Sequence, residues 1–213
     1  MRRLSPLDHL ITQADALVKV ISGHARSTGR PSPGGDEPGP MLDDHDRQET
    51  GRLMRVNHAG EVAAQGLYQG QMLTARTPAI RAQLDQAARE EGDHLHWCAR
   101  RVHEMGMHTS LLTPLWYVSS LGVGALAGLA GDRYSLGFVD ETERQVEQHL
   151  DRHLDRLPPS DTVSARILEQ MKEEEVEHGA KAMAMGGRTL PWPVRSVLMP
   201  LTSKIMTHTA YRI

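Results

Sequence analysis

The chain of 213 residues has a single cysteine, Cys98. One thiol makes no intramolecular disulfide and no thiolate cluster for zinc or iron–sulfur, so any metal has to be held by Glu, Asp and His. A reducing compartment is expected because the N-terminus does not read as a signal peptide. Aromatic residues are 4% of the chain, with one Phe against 11 Met. Strands draw on aromatic and β-branched side chains, which makes an all-β fold improbable. An excess of one charge is also missing: 24 Lys and Arg stand against 27 Asp and Glu, a formal net charge of −3. Such a balance offers no field for a polyanion, and nucleic acid is not expected as a partner. The N-terminus lacks a continuous apolar stretch, because Met1-Arg2-Arg3 is followed by a run broken by Pro6, Asp8 and His9. No export signal is expected there.

The length fits one core with an appended tail. Leu4, Leu7, Leu10, Ile11, Ala14, Leu17, Val18 and Ile21 recur at helical spacing and suggest a short amphipathic helix. From Gly23 to Pro40 the composition turns to Gly, Pro and Ser, which buries little apolar area and reads as a flexible linker. Residues 1–41 are therefore set apart from a main domain over 42–213. Beyond the linker the pattern is helical, with segments expected at 43–75, 79–105, 113–130, 134–156, 161–185 and 193–208. Pro78, Gly106, Gly131, Pro158-Pro159 and Gly186-Gly187 punctuate them. Asp161 or Ser160 is placed to cap the fifth. The expected fold is all-α, a helical bundle.

The third segment differs in kind, since Leu111 to Gly131 carries no charge. The run is about as long as a bilayer-crossing helix. Pro114, Ser119, Ser120 and its glycines leave it only moderately apolar, so two other readings stand level. One is a helix that is part core and part membrane surface, with Trp116 and Tyr117 at interfacial depth. The other is a helix buried all round within the bundle.

The informative pattern lies along the apolar stripes. In the second segment Leu84, Ala87, Glu91, His94 and Cys98 follow steps of three and four, so Glu91 and His94 face the core. Leu168, Met171, Glu175, His178, Ala182 and Met185 repeat that rhythm in the fifth, with the same polar interruption. Two Glu-x-x-His spacings are little more than the one or so that chance supplies; their placement on core faces is what gives them weight. In the fourth segment Leu136, Val139, Glu143, Val146 and Leu150 put Glu143 inward, with Glu141 and Glu147 on the polar side. In the first, Leu53, Asn57, Glu61, Ala64 and Tyr68 are consistent with an inward Glu61, with His58 or a solvated Glu61 as alternatives.

Burying an ionised carboxylate without a partner costs several kcal/mol, and a bound cation would relieve it. A lone Glu on one helix followed by Glu-x-x-His on the next, given twice, is the arrangement of ferritin-like two-metal bundles. Oxygen-rich ligation with two imidazoles suits iron or manganese. Glu90 and Glu174, each preceding a candidate ligand, are either acceptors for a histidine of the opposing helix or solvated helix charges.

Several strings in this chain are similar to those of the demethoxyubiquinone hydroxylase family. They are MRVNHAGEVAAQGLYQGQ around Glu61, EEGDHLHW around Glu91 and His94, SLGFVDETERQVEQHL around Glu143, EQMKEEEVEH around Glu175 and His178, and the ending MTHTAYRI. The resemblance runs from about residue 42 onward. It implies a ferritin-like four-helix bundle with additional membrane-associating helices, and six metal ligands at Glu61, Glu91, His94, Glu143, Glu175 and His178. It further implies two iron ions per chain, with manganese the lesser alternative, and O₂ as co-substrate. The activity implied is hydroxylation of the ring of a demethoxylated polyprenyl benzoquinone or benzoquinol. An external reductant is required, and within the family NADH has been proposed. The implied partners are the polyprenylated substrate, a membrane surface and other ubiquinone-biosynthesis proteins, with the protein peripheral on the cytoplasmic face of the cell membrane. Two readings compete: a ferritin-like oxidase or iron-handling protein without organic substrate, and a non-catalytic quinone-binding scaffold.

Overall fold

The computed structural model describes residues 5–35 and 39–213. Leu4 of the expected N-terminal stripe, the Met1-Arg2-Arg3 start and residues 36–38 of the expected linker lie outside the described residues. Among the described residues seven α-helices follow one another: α1 (Pro6–Ile21), α2 (Asp44–Thr74), α3 (Pro78–Glu104), α4 (Thr113–Leu129), α5 (Asp132–Leu154), α6 (Thr162–Ala184) and α7 (Met199–Ala210). A π-helical turn, Val194–Leu198, leads into α7. No strand occurs among the described residues.

The helix starts follow from local chemistry. The Asp43 carboxylate accepts the Asp46 N–H to open α2, the Thr77 hydroxyl accepts from Ile80 N–H ahead of Pro78, and Asp161 accepts from Ser164 N–H. These acceptors satisfy N–H groups that have no partner within the first turn. Asp161 also receives Arg101 at 2.7 Å and the Thr50 hydroxyl at 2.9 Å, which ties the start of α6 to α2 and α3.

Helices α2, α3, α5 and α6 form the bundle. One apolar cluster joins Leu53, Trp97, Cys98, Leu150, Leu168 and Met171; another joins Tyr68, Leu84, Ala87, Leu136, Val139 and Ala182. Passing from the first cluster to the second, α2 and α6 run in one direction and α3 and α5 in the other. Glu61, Glu91, His94, Glu143, Glu175 and His178 fall between the clusters on all four helices, so the two stripes of apolar residues clamp a polar layer at mid-height.

Helix α4 lies across α2 at backbone contact. A Cβ at Gly70 would sit 2.1 Å from the Leu121 carbonyl oxygen, and one at Gly124 would sit 2.1 Å from that of Leu67. The close approach buries Tyr117, Gly124 and Gly128 and leaves Leu115, Val118, Leu126 and Leu129 exposed. Helix α4 is thus not buried all round; one face is core and the other is open. No described helix is long and apolar enough to cross a membrane.

The stretch read as a flexible linker makes specific contacts. The Arg26 carbonyl packs where a Cβ on Gly92 would be, 1.9 Å away, and the backbone N–H groups of Thr28 and Gly29 donate to Asp93. Arg30 donates from Nε to Asp93 at 2.9 Å and from its two terminal nitrogens to Glu174 at 2.6 and 2.8 Å. Residues 26–30 therefore bridge α3 and α6 from outside.

Candidate metal centre

The structure brings all six sequence-selected residues together. Glu61, Glu91, His94 and Glu175 each place a ligand-type atom within 4.8 Å of the others, and so do Glu91, Glu143, Glu175 and His178. Glu91 and Glu175 belong to both groups. Two overlapping donor groups result, each with one carboxylate and one imidazole of its own and two carboxylates in common, and each could hold a metal ion. All six residues are buried, between 0% and 4% exposed. His58, the alternative to Glu61, is buried but stands outside both groups.

The imidazoles are oriented alike. His94 Nδ1 lies 3.0 Å from Glu91, 3.5 Å from Glu175 and 3.9 Å from Glu61, while its Nε2 meets Glu174 at 2.8 Å. His178 Nδ1 lies 2.9 Å from Glu91 and 3.7 Å from Glu175, while its Nε2 meets Glu90 at 2.7 Å. Glu90 and Glu174 thus each hold the outer nitrogen of a histidine on the opposing helix. A carboxylate there fixes the Nε2–H tautomer and leaves the Nδ1 lone pair aimed into the polar layer.

The fit to a cation rests on what the inward atoms lack. Glu91 Oε1, Glu175 Oε2 and His178 Nδ1 are buried without a hydrogen-bond partner, although His178 Nδ1 and Glu91 Oε1 are 2.9 Å apart. The separation is short enough for a hydrogen bond but the direction is not, so these donor atoms converge on common space rather than on each other. Burial, followed by the field of Glu91, pushes the Glu61 carboxyl well above the usual carboxylate range, and burial with Glu175 and Glu91 does the same to Glu143. Burial would depress the His94 imidazole, but Glu91 and the hydrogen-bonding carboxylates outweigh it and push it well above its ordinary value. The layer attracts positive charge in whatever form is available. Four desolvated carboxylates at several kcal/mol each would rival the stability of a whole domain, so oxygen-and-imidazole coordination of a divalent cation fits these residues.

Tyr68 went unread as a site residue. Its hydroxyl donates to Glu143 Oε1 at 2.7 Å from a fully buried ring, and its position seven residues after Glu61 on one stripe was the available signal. Glu141, assigned to the polar side of α5, is instead buried at 5% exposure. Arg144 folds over it with two hydrogen bonds and Gln145 adds a third, so it joins a local network and not the metal-ligand groups.

Above the polar layer a cavity of about 380 Å³ opens between α4 and α7. Glu61, Glu91, Glu143 and Glu175 line its inner end, and Trp116, Val123, Phe138, Met199, Ile205 and Met206 are among its walls. An apolar throat ending on carboxylates accommodates a ligand with an apolar body and a small reactive head.

Fold and site together define a ferritin-like helical protein with a buried carboxylate–histidine centre. The family profile described as ubiquinone biosynthesis protein COQ7 matches residues 48–210, and the chain belongs to that family. It is 53% identical to the 3-demethoxyubiquinol 3-hydroxylase of Nitrosococcus oceani over 100% of this chain and 99% of that one. It is 53% identical to the protein of the same name from Cupriavidus metallidurans, covering 97% and 100%, and 48% identical to that of Pseudomonas fluorescens, covering 100% and 98%.

Proposed function

We propose that the chain is a di-iron monooxygenase that hydroxylates the ring of a demethoxylated polyprenyl benzoquinol in ubiquinone biosynthesis. The observation that carries this reading is the apolar cavity whose inner end is formed by four candidate ligand carboxylates. An iron-storing or iron-oxidising relative needs a polar entry for the ion, whereas this entry is apolar, which favours the organic substrate.

Glu61, Glu91, His94, Glu143, Glu175 and His178 are the residues assigned to hold the metal, within a catalytic domain over 42–213. When bound, two ferrous ions supply O₂ activation, with one oxygen atom going to the ring, the other to water, and an external donor restoring the electrons. The chain's own contribution is positional. Glu90 and Glu174 keep the Nε2 protons of His178 and His94, so that Nδ1 stays a free donor. Tyr68 holds one oxygen of Glu143 and leaves the other for the metal layer. The walls of the cavity exclude water around the ring and receive the start of the prenyl tail. Peripheral membrane association through the open faces of α4 and α7 is part of the proposal, supported by Leu126 at 68% and Ile205 at 56% exposure.

The test is iron content after anaerobic reconstitution, followed by quinol turnover read by mass spectrometry with ¹⁸O₂. About two irons per chain are expected, clearly fewer in Glu143→Ala, and one labelled oxygen in the product. Iron binding without label incorporation would favour the oxidase reading; turnover surviving in Glu175→Ala would sink the ligand assignment.

A further inference from the structure

Helix α5 carries Glu143 on one side and a different chemistry on another. Between α5, the π-helical turn and α7 lies a second cleft, of about 710 Å³. Its cations come from separate elements: Arg144 and Arg152 from α5, Arg156 just past the end of α5, Arg195 from the π-helical turn, Lys204 from α7 and Arg212 from the chain end. No carboxylate lines it among the described residues. Arg144 is held by Glu141 and Arg156 by Glu49, each at 2.5 Å, but Arg152, Arg195, Lys204 and Arg212 enter no ion pair with the described residues.

The cleft wall also contains polar groups that protein atoms do not satisfy. His149 and His153 pack with ring centroids 3.9 Å apart and planes tilted by 55°, and His149 Nε2 and His153 Nδ1 are buried without a partner. His153 is only 4% exposed, and Arg195 Nε is a third orphan. Burial first, then the neighbouring arginines, keeps the His149 imidazole down at about 4. A buried donor left unsatisfied costs about 1–3 kcal/mol, and clustered cations repel one another. An oxyanion with several acceptor oxygens resolves both difficulties at once, and a phosphate group matches guanidinium forks best.

We infer that this cleft is a binding site for a phosphate group, reached by Arg152, Arg195 and Lys204 and backed by the partly buried His149 and the buried His153. The surroundings favour a lipid source for that phosphate. Leu198, Leu201 and Ile205 stand exposed beside it, and His149, Ser203 and Thr207 line both this cleft and the apolar cavity. An anionic phospholipid headgroup seated here would set α7 at the membrane with the cavity mouth next to it. The site stands on geometry separate from the metal centre, so its failure would leave the hydroxylase reading untouched.

The experiment uses the full chain with its metal, in two arms. In the first, flotation compares phosphatidylcholine vesicles with vesicles containing phosphatidylglycerol; in the second, calorimetry in detergent titrates inorganic pyrophosphate. Arg195→Gln/Lys204→Gln is compared with Arg89→Gln/Arg100→Gln, which removes the same charge from α3, a helix that contributes no residue to the cleft. Preference for phosphatidylglycerol is expected to fall roughly thirty-fold in the cleft variant and much less in the control pair. A cleft-dependent pyrophosphate affinity without lipid preference would keep the phosphate site and assign it a soluble ligand. Equal loss in both variants, or none in either arm, would overturn the site. Unchanged metal content and melting temperature in the cleft variant show that it folds.

Discussion

Arg30 sits outside the four-helix bundle, yet its replacement by Ala is expected to reach the metal layer. The side chain makes three charge-assisted hydrogen bonds, two to Glu174 and one to Asp93. The guanidinium is 39% exposed, so water screens part of the gain. Each bond is therefore set near the low end, about 1 kcal/mol, giving about 2–3 kcal/mol for Arg30→Ala. In a domain of this size that corresponds to a fall of about 4–12 °C in Tm. Glu174 also loses the group that aims it at His94 Nε2, and removing such support behind a ligand histidine weakens metal binding by about 10–100-fold. Thermal melts of metal-free protein read the first quantity, and anaerobic titration with Co²⁺, followed by its visible absorption, reads the second. Arg30→Lys keeps the charge but not the fork, so it should recover only part of both. A variant that melts within about a degree of the parent and binds Co²⁺ equally well would refute the reasoning.

Tyr68→Phe removes the one hydrogen-bond donor to Glu143 among the described residues, which raises the carboxyl further. Metal uptake should weaken by about 10-fold and its midpoint should move to higher pH, read by metal titration across pH. Gly70→Ala would place a methyl 2.1 Å from the Leu121 carbonyl, against backbone that has little room to yield. A loss of about 1–3 kcal/mol in urea unfolding is expected, and an unchanged midpoint would contradict the backbone contact. His58 is held down to about 4 by burial first and then by the fields of His103 and His96. The unfolded chain takes up a proton below about 6.5 that the folded one refuses, so stability is full above that pH and declines on acidification towards 4. The contribution is about 3 kcal/mol, and His58→Asn should melt with a visibly flatter pH dependence over that window.

Much of the bundle and five of its six central residues could be read from periodicity, while Glu61 was left open against His58 by its stripe alone. Glu91, His94, Glu143, Glu175 and His178 interrupt apolar stripes of α3, α5 and α6, and a stripe records burial directly because only one helix face meets the core. The pairing of Glu90 with His178 and Glu174 with His94 was visible as one of two options and needed the opposing helices to decide it. Residues 26–30 were opaque for another reason. Gly and Pro composition reports that little apolar area is buried, but this stretch is held by its backbone N–H groups and Arg30, to which hydropathy is blind. Glu141 misled because the exposed Arg144, three residues on, covers it, and a carboxylate buried beneath its own ion-pair partner looks like a surface charge in sequence. The α4 contact was written in Gly66, Gly70, Gly124 and Gly128, whose four-residue spacing marks where two backbones touch.

That contact has a mechanical consequence. Where carbonyl oxygens rest directly against glycines, no side chain is left to change rotamer, so α4 cannot slide along or lift from α2 without losing the whole interface. The cavity therefore has one fixed jamb. Its opposite side is α7, a helix of 12 residues entered through a π-helical turn and exposing Leu201 and Ile205 outward. Widening the mouth for a ring and its tail falls to α7, and amide exchange in α7 should outpace that in α4 by the difference between a door and its frame.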